Sequence, residues 1–187
     1  MTEAIEIPSA TEDPKAYVAA LLATLGDRDP LEVLRATTAV VGRTVAGLDA
    51  AQWARPLGPG EWSAEQVVGH LFDVDLVYGF RWRLLLTEDR PSYPGYDEKR
   101  FAGLPKPAAG ELLVAWEGLR AANLALLAGT PRSAWDRVGV HSEQGEERFG
   151  LTVAKVAGHD LAHLNQLQRT VESARSASAG PRPAPAR

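Results

Sequence analysis

Between Pro14 and Glu172 the apolar residues recur mainly at helical spacing, and proline and glycine cut them into segments. A chain patterned this way must bury amphipathic helices against one another. Asp13 before Pro14 gives an N-cap and a proline start for a short helix to Leu25, which Gly26 ends. Asp29 before Pro30 does the same for a helix to Leu48 with a stripe of Leu31, Leu34, Thr38, Val41 and Val45. The Pro- and Gly-rich stretch DAAQWARPLGPGEW forbids continuation. Ser63, with Gln66 three residues on, has the pattern of a capping box and opens a long helix to Glu88. A third long helix, Ala109 to Ala128, carries Leu112, Leu113, Trp116, Leu119, Leu126 and Leu127 until Pro131 breaks it, and a last one runs from Thr152 to Glu172.

These elements predict an all-α domain over residues 14–172, a four-helix bundle with a long crossover loop. Pro91, Pro94, Pro105 and Pro107 make 89–107 an extended connection across the surface, of a length that often serves binding. There Tyr93, Tyr96 and Phe101 either pin the loop to the bundle or wall a pocket. Residues 136–150 alternate weakly around Gln144-Gly145 and form a small hairpin or a bare loop before the last helix. The polar segment 1–13 and the Ser/Ala/Pro-rich segment 173–187 read as disordered tails.

Composition removes several functions. Twenty Lys+Arg against 24 Asp+Glu leave a net charge of −4, so nothing neutralises a phosphate backbone and no nucleic-acid partner is expected. The absence of cysteine rules out disulfides, Cys-ligated zinc and a protein thiol nucleophile. The N-terminus lacks the basic and apolar regions of a signal peptide, and no uninterrupted run of about 18 apolar residues follows. A cytoplasmic protein with no membrane association is expected.

The four histidines, at 70, 141, 159 and 163, are the most informative residues. His159 and His163 are four apart on a strongly helical segment, so both side chains lie on one face and can share an ion. His70 sits among Val67, Leu71 and Val74 and could add a third ligand from a facing helix. A hydrogen-bonded core histidine is the bland alternative for His70, and a solvated face for the pair. Three imidazoles on apolar helix sides would, without a shared partner, leave several polar nitrogens to satisfy. His141 reads as exposed in the hairpin segment.

The stretches PGEWSAEQVVGHLFDVD and GHDLAHLNQLQR, with Trp116 and Arg120 on the helix between them, resemble the DinB/YfiT-like superfamily of bacterial proteins over residues 30–172. The resemblance implies a four-helix bundle, often a homodimer, with His70, His159 and His163 holding a divalent metal, zinc or nickel. It also implies a small-molecule substrate. Relatives include bacillithiol S-transferases and mycothiol-dependent enzymes, and others described as metal-dependent hydrolases. A low-molecular-weight thiol co-substrate or an activated water would then attack a small electrophile. The rival is a non-catalytic metal-binding or stress-associated interaction protein with a structural triad.

Five further residues complete the candidate site. Asp73, three after His70, could act as catalytic general base, accept an imidazole proton or supply a fourth ligand; otherwise it is a surface carboxylate. Arg81, on the face of His70, and Arg120 could hold a substrate carboxylate, with ion pairing as the plainer role of each. Gln166, three after His163, could hydrogen-bond a substrate in the cavity, and Asp160 is placed for a contact behind the ligands.

Overall fold

The structure, a computed structural model, describes residues 3–178. The chain forms α1 (Pro14–Leu25), α2 (Pro30–Val45), a four-residue α3 (Ala50–Trp53), α4 (Ala64–Thr87), β1 (Ser92–Tyr93), α5 (Glu98–Ala102), α6 (Ala109–Gly129), a 3-10 turn (Arg132–Asp136), β2 (Val138–His141), β3 (Gly145–Arg148) and α7 (Phe149–Ser178). The caps form as the sequence requires. Asp13 accepts from Ala16 N, Asp29 from Leu31 N and Glu32 N, and Ser63 with Gln66 closes a reciprocal capping box.

Helices α2, α4, α6 and α7 make the bundle, and α1 lies on α7 so closely that a Cβ at Gly158 would stand 2.1 Å from the Leu21 carbonyl oxygen. Two apolar clusters fill the interior. One gathers Leu34, Val74, Trp82, Leu127, Phe149 and Val156, the other Val41, Val67, Leu71, Leu112, Trp116 and Leu167. Along each long helix a polar layer falls between them. At its centre Arg120 of α6 donates to Asp75 of α4 through Nε at 2.7 Å, and through Nη1 to Asp160 of α7 at 2.7 Å and to the Leu34 carbonyl of α2 at 3.0 Å. Trp116 Nε1 and Asn123 Nδ2 also donate to Asp75. Burial pushes the Asp75 carboxyl up while Arg120 opposes it; burial alone would lower the guanidinium, but Asp160 and Asp75 override that and hold its charge.

Several expectations are corrected. Helix α2 ends at Val45, and Thr37 rather than Thr38 completes its buried stripe, Thr37 Oγ1 donating to the Val33 carbonyl. Segment 89–107 is not merely extended: Ser92–Tyr93 pairs in parallel with Val140–His141, and Glu98–Ala102 is helical behind an Asp97 cap. Residues 138–148 form the hairpin, with Val138 opposite Arg148 and Gly145 at φ +77 in the turn. Helix α7 continues to Ser178, so residues 173–178 are not tail: Ala174 is buried, and Arg175 donates to the Thr44 and Ala46 carbonyls at the end of α2. The rest of that expected tail, 179–187, lies outside the described residues. At the other end Asn165 of α7 donates to the Glu3 carbonyl and accepts from Ile5 N, which fastens a segment expected to be disordered.

Helix α6 is, among the described residues, the one long and apolar enough to cross a membrane by length and composition. Its buried side carries Arg120 and Asn123 among Leu112, Trp116 and Leu127, and that polar pair is spent on α2, α4 and α7. This is the pattern of a bundle helix. Removing the guanidinium should therefore unlock the layer. Arg120→Leu leaves two buried carboxylates without a cation, and urea denaturation should show a loss of about 3–5 kcal/mol; a midpoint equal to wild type would refute the role assigned to the layer.

Candidate metal centre

His70 comes from the first half of α4, and His159 and His163 from consecutive turns in the middle of α7. The rings converge. His70 Nε2 lies 2.9 Å from His159 Nε2, and one ligand nitrogen from each of the three residues lies within 4.8 Å of the others. Centroid separations are 4.9 Å for His70–His159, 4.6 Å for His70–His163 and 4.2 Å for His159–His163. Trp62, just before the Ser63 cap, lies 4.8 Å from the His70 ring and stacks on His163 at 5.9 Å.

Burial is the first reason these imidazoles stay neutral. It pushes His70 and His159 well below the usual imidazole range, with the neighbouring histidines adding to it, and it takes His163 down to about 4 against the opposing effect of Gln166. Neutral imidazole is the ligating form. His163 Nδ1 meets Gln166 Oε1 at 2.8 Å; an amide oxygen only accepts, so Nδ1 carries the proton and Nε2 keeps its lone pair. The Nδ1 atoms of His70 and His159 are buried without a hydrogen-bond partner, so packing, including Trp62, holds those rings.

The donor set fits a divalent ion. Three imidazoles at ordinary bond lengths around a tetrahedral ion stand about 3.3 Å apart, a spacing that falls between the 2.9 Å of the His70–His159 contact and the 4.8 Å within which all three nitrogens lie. No carboxylate joins the cluster among the described residues, so three neutral ligands would leave a position for an outside atom.

Asp73 faces a different partner. It is buried and lies 2.9 Å from Lys106 Nζ, a charge contact without the angle of a directed hydrogen bond; burial raises its carboxyl and Lys106 opposes this. Lys106 also donates to the Phe101 carbonyl, and beside it a groove of about 370 Å³ opens along Ser63, Gln66, Gly69, Ala102 and Leu104. Gln166 is occupied by His163. Arg81 is buried beneath the crossover, against Tyr78, Tyr93 and Tyr96.

Arg120 takes the plainer of its two expected roles, interhelix ion pairing: it is sealed in the polar layer, and Asp160 serves it through its Oδ2. His141 is not exposed: it is 4% accessible, because Nδ1 accepts from Glu143 N and Gln144 N across the hairpin turn, and it stands outside the triad. Sequence reasoning also missed Lys106 and the buried pair of Lys155 with Glu147, to which Tyr93 donates at 3.2 Å. Alternation through Glu147 was the available signal for that pair. Of the loop aromatics, Tyr93 pins β1 to the sheet, and Tyr96 meets Phe101 at 4.9 Å.

The sequence profile of the DinB superfamily matches residues 33–167. A protein of Oceanobacillus iheyensis named "putative metal-dependent hydrolase" is 27% identical over 143 residues, 74% of this chain and 81% of its own length. One of the same description from Bacillus cereus is 29% identical over 132 residues, 68% of this chain and 76% of its own length. Among solved structures, YfiT from Bacillus subtilis superposes with a TM-score of 0.71 at 22% identity, covering 92% of this chain and 94% of that one. It is described as having an unusual four-helix bundle topology, and the likeness establishes the fold.

A folded-state ion site has a thermodynamic signature. Zinc or nickel at a hundredfold excess over Kd should stabilise the protein by about 2.7 kcal/mol, read as a rise in Tm. His163→Ala should abolish the rise, and Gln166→Leu, which frees the ring, should weaken metal binding by about 10- to 100-fold in calorimetric titration. Equal shifts in wild type and His163→Ala would place the ion elsewhere.

Proposed function

Because the chain belongs to the DinB superfamily, we propose that His70, His159 and His163 hold a divalent metal in an enzyme that attacks a small electrophile with water or a low-molecular-weight thiol. The observation that carries this reading is the all-imidazole cluster with no fourth protein ligand among the described residues, since a purely structural zinc site is normally closed by four. The metal, when bound, supplies Lewis acidity and lowers the pKa of a bound water or thiol. The descriptions of the relatives favour water as the nucleophile. The absence of cysteine favours the thiol alternative only in that any sulfur nucleophile must come from outside the chain.

The chain's own residues have distinct tasks. The three histidines bind as neutral ligands, and Gln166 orients His163. Asp73, one turn beyond His70 on α4 and raised by burial, is the group to take a proton from the incoming nucleophile, with Lys106 holding the resulting position of its carboxylate. Trp62 covers two of the rings and limits water around them.

The test separates an enzyme from a structural staple. Metal-loaded protein should turn over some member of a panel of activated esters and amides, or conjugate bacillithiol or mycothiol to an electrophile. His159→Ala should remove the activity with the helical circular dichroism intact. Asp73→Asn should retain metal and lose about 10- to 100-fold in rate. No turnover across the panel, with His159→Ala lowering only stability, would establish the staple instead.

A further inference from the structure

Among the described residues each of the other well-buried cations has an anion: Arg120 has Asp75 and Asp160, Lys155 has Glu147, and Lys106 has Asp73. Arg81 does not. It is 3% accessible, and among the described residues it makes a single hydrogen bond, from Nη2 to the Pro94 carbonyl at 2.6 Å, and no ion pair. A guanidinium cannot shed its proton, so a buried one without a counter-charge is costly. Tyrosine rings surround it in part, with centroids at 5.0 Å for Tyr78, 5.2 Å for Tyr93 and 5.9 Å for Tyr96. Their quadrupoles offset only part of a full charge.

A second observation points to the same spot. The Tyr96 hydroxyl is buried with no hydrogen-bond partner, beside an arginine whose one acceptor is the uncharged Pro94 carbonyl. An idle donor next to a cation without an ion pair is what a carboxylate would satisfy. His141, edge-on to Tyr93 at 5.8 Å, has its Nδ1 occupied as acceptor, so the proton is on Nε2 and the ring offers one more donor on this side. Glu98, the nearby acid, feels Arg81, which opposes the rise that burial causes in its carboxyl, but the two do not close to a direct ion pair. A single guanidinium lined by aromatic rings, with Glu98 as the nearby acid, matches an organic monoanion rather than a phosphate, whose second charge would remain uncompensated.

Arg81 and His70 are eleven residues apart on α4, hence on the same face and about 16 Å apart along the axis. We infer that Arg81 and the Tyr96 hydroxyl form the anchor for the carboxylate of an elongated organic monoanion whose opposite end lies at the histidine triad. The covering over Arg81 comes from the crossover, through Pro94 and Tyr96, and a ligand enters by displacing it. The inference rests on the triad being the reactive centre, but the anchor can be tested without metal.

The experiment uses the full chain treated with chelator, with benzoate as probe and benzamide and inorganic phosphate as controls. Benzoate should raise Tm saturably and the controls should not. Arg81→Gln should abolish the benzoate shift while keeping the zinc-induced one, and Tyr96→Phe should weaken benzoate about tenfold, the loss of one hydrogen bond to a charged group. If Arg81→Gln does not fold, the benzamide contrast and Tyr96→Phe decide. The anchor is overturned by no benzoate shift in wild type, by an undiminished shift in Arg81→Gln or Tyr96→Phe, or by phosphate acting as strongly as benzoate. It is also overturned if benzoate is inert and Glu98→Gln destabilises as much as Arg81→Gln, which would make Glu98 the internal partner. Loss of the zinc effect with benzoate binding intact would count against the triad reading alone.

Discussion

One guanidinium sets the register of this bundle. Arg120 reaches α4, α7 and α2 from α6, so the sliding of any one helix by a turn would strand a buried charge. Apolar packing above and below tolerates shifts that this layer does not, because directed bonds between desolvated charges are satisfied in one geometry only. Asp160, which receives Arg120, is the residue next to His159. Asp75, which receives it on α4, is five residues beyond His70. Locking Asp75 to Asp160 through one cation therefore brings the two histidine-bearing segments together.

That arrangement explains why imidazoles so deeply buried are tolerable. Neutral rings carry no charge to desolvate, and Asp75 and Asp160 are held by Arg120, whose own charge adds to the burial and neighbouring histidines that disfavour a proton on His159. The triad thus sits where the fold already interrupts its apolar core.

Helix positions were legible in the sequence because caps are local: Asp13, Asp29 and the Ser63/Gln66 pair each act within three residues. The His159/His163 pair was legible for the same reason, and His70 came from its apolar neighbours together with a family likeness. What was not legible depends on long-range partners. Arg120 and Arg81 read alike in sequence, both arginines on partly apolar helices, yet one meets two carboxylates and the other meets tyrosine rings. The burial of His141 depends on a turn whose backbone amides it accepts from, and the six added residues of α7 depend on Arg175 finding the end of α2.

The parallel pairing of β1 with β2 has a kinetic consequence. The Val140 amide donates to the Pro91 carbonyl and the Ser142 amide to the Tyr93 carbonyl, so the crossover is stitched to the strand that leads through the hairpin into α7. Lifting the crossover breaks those two bonds first. The proton exchange of Val140 and Ser142 therefore reads out opening of the covering over α4, at residues distant in the chain from that covering, while the amides of the helical layer behind them exchange only when the whole bundle yields.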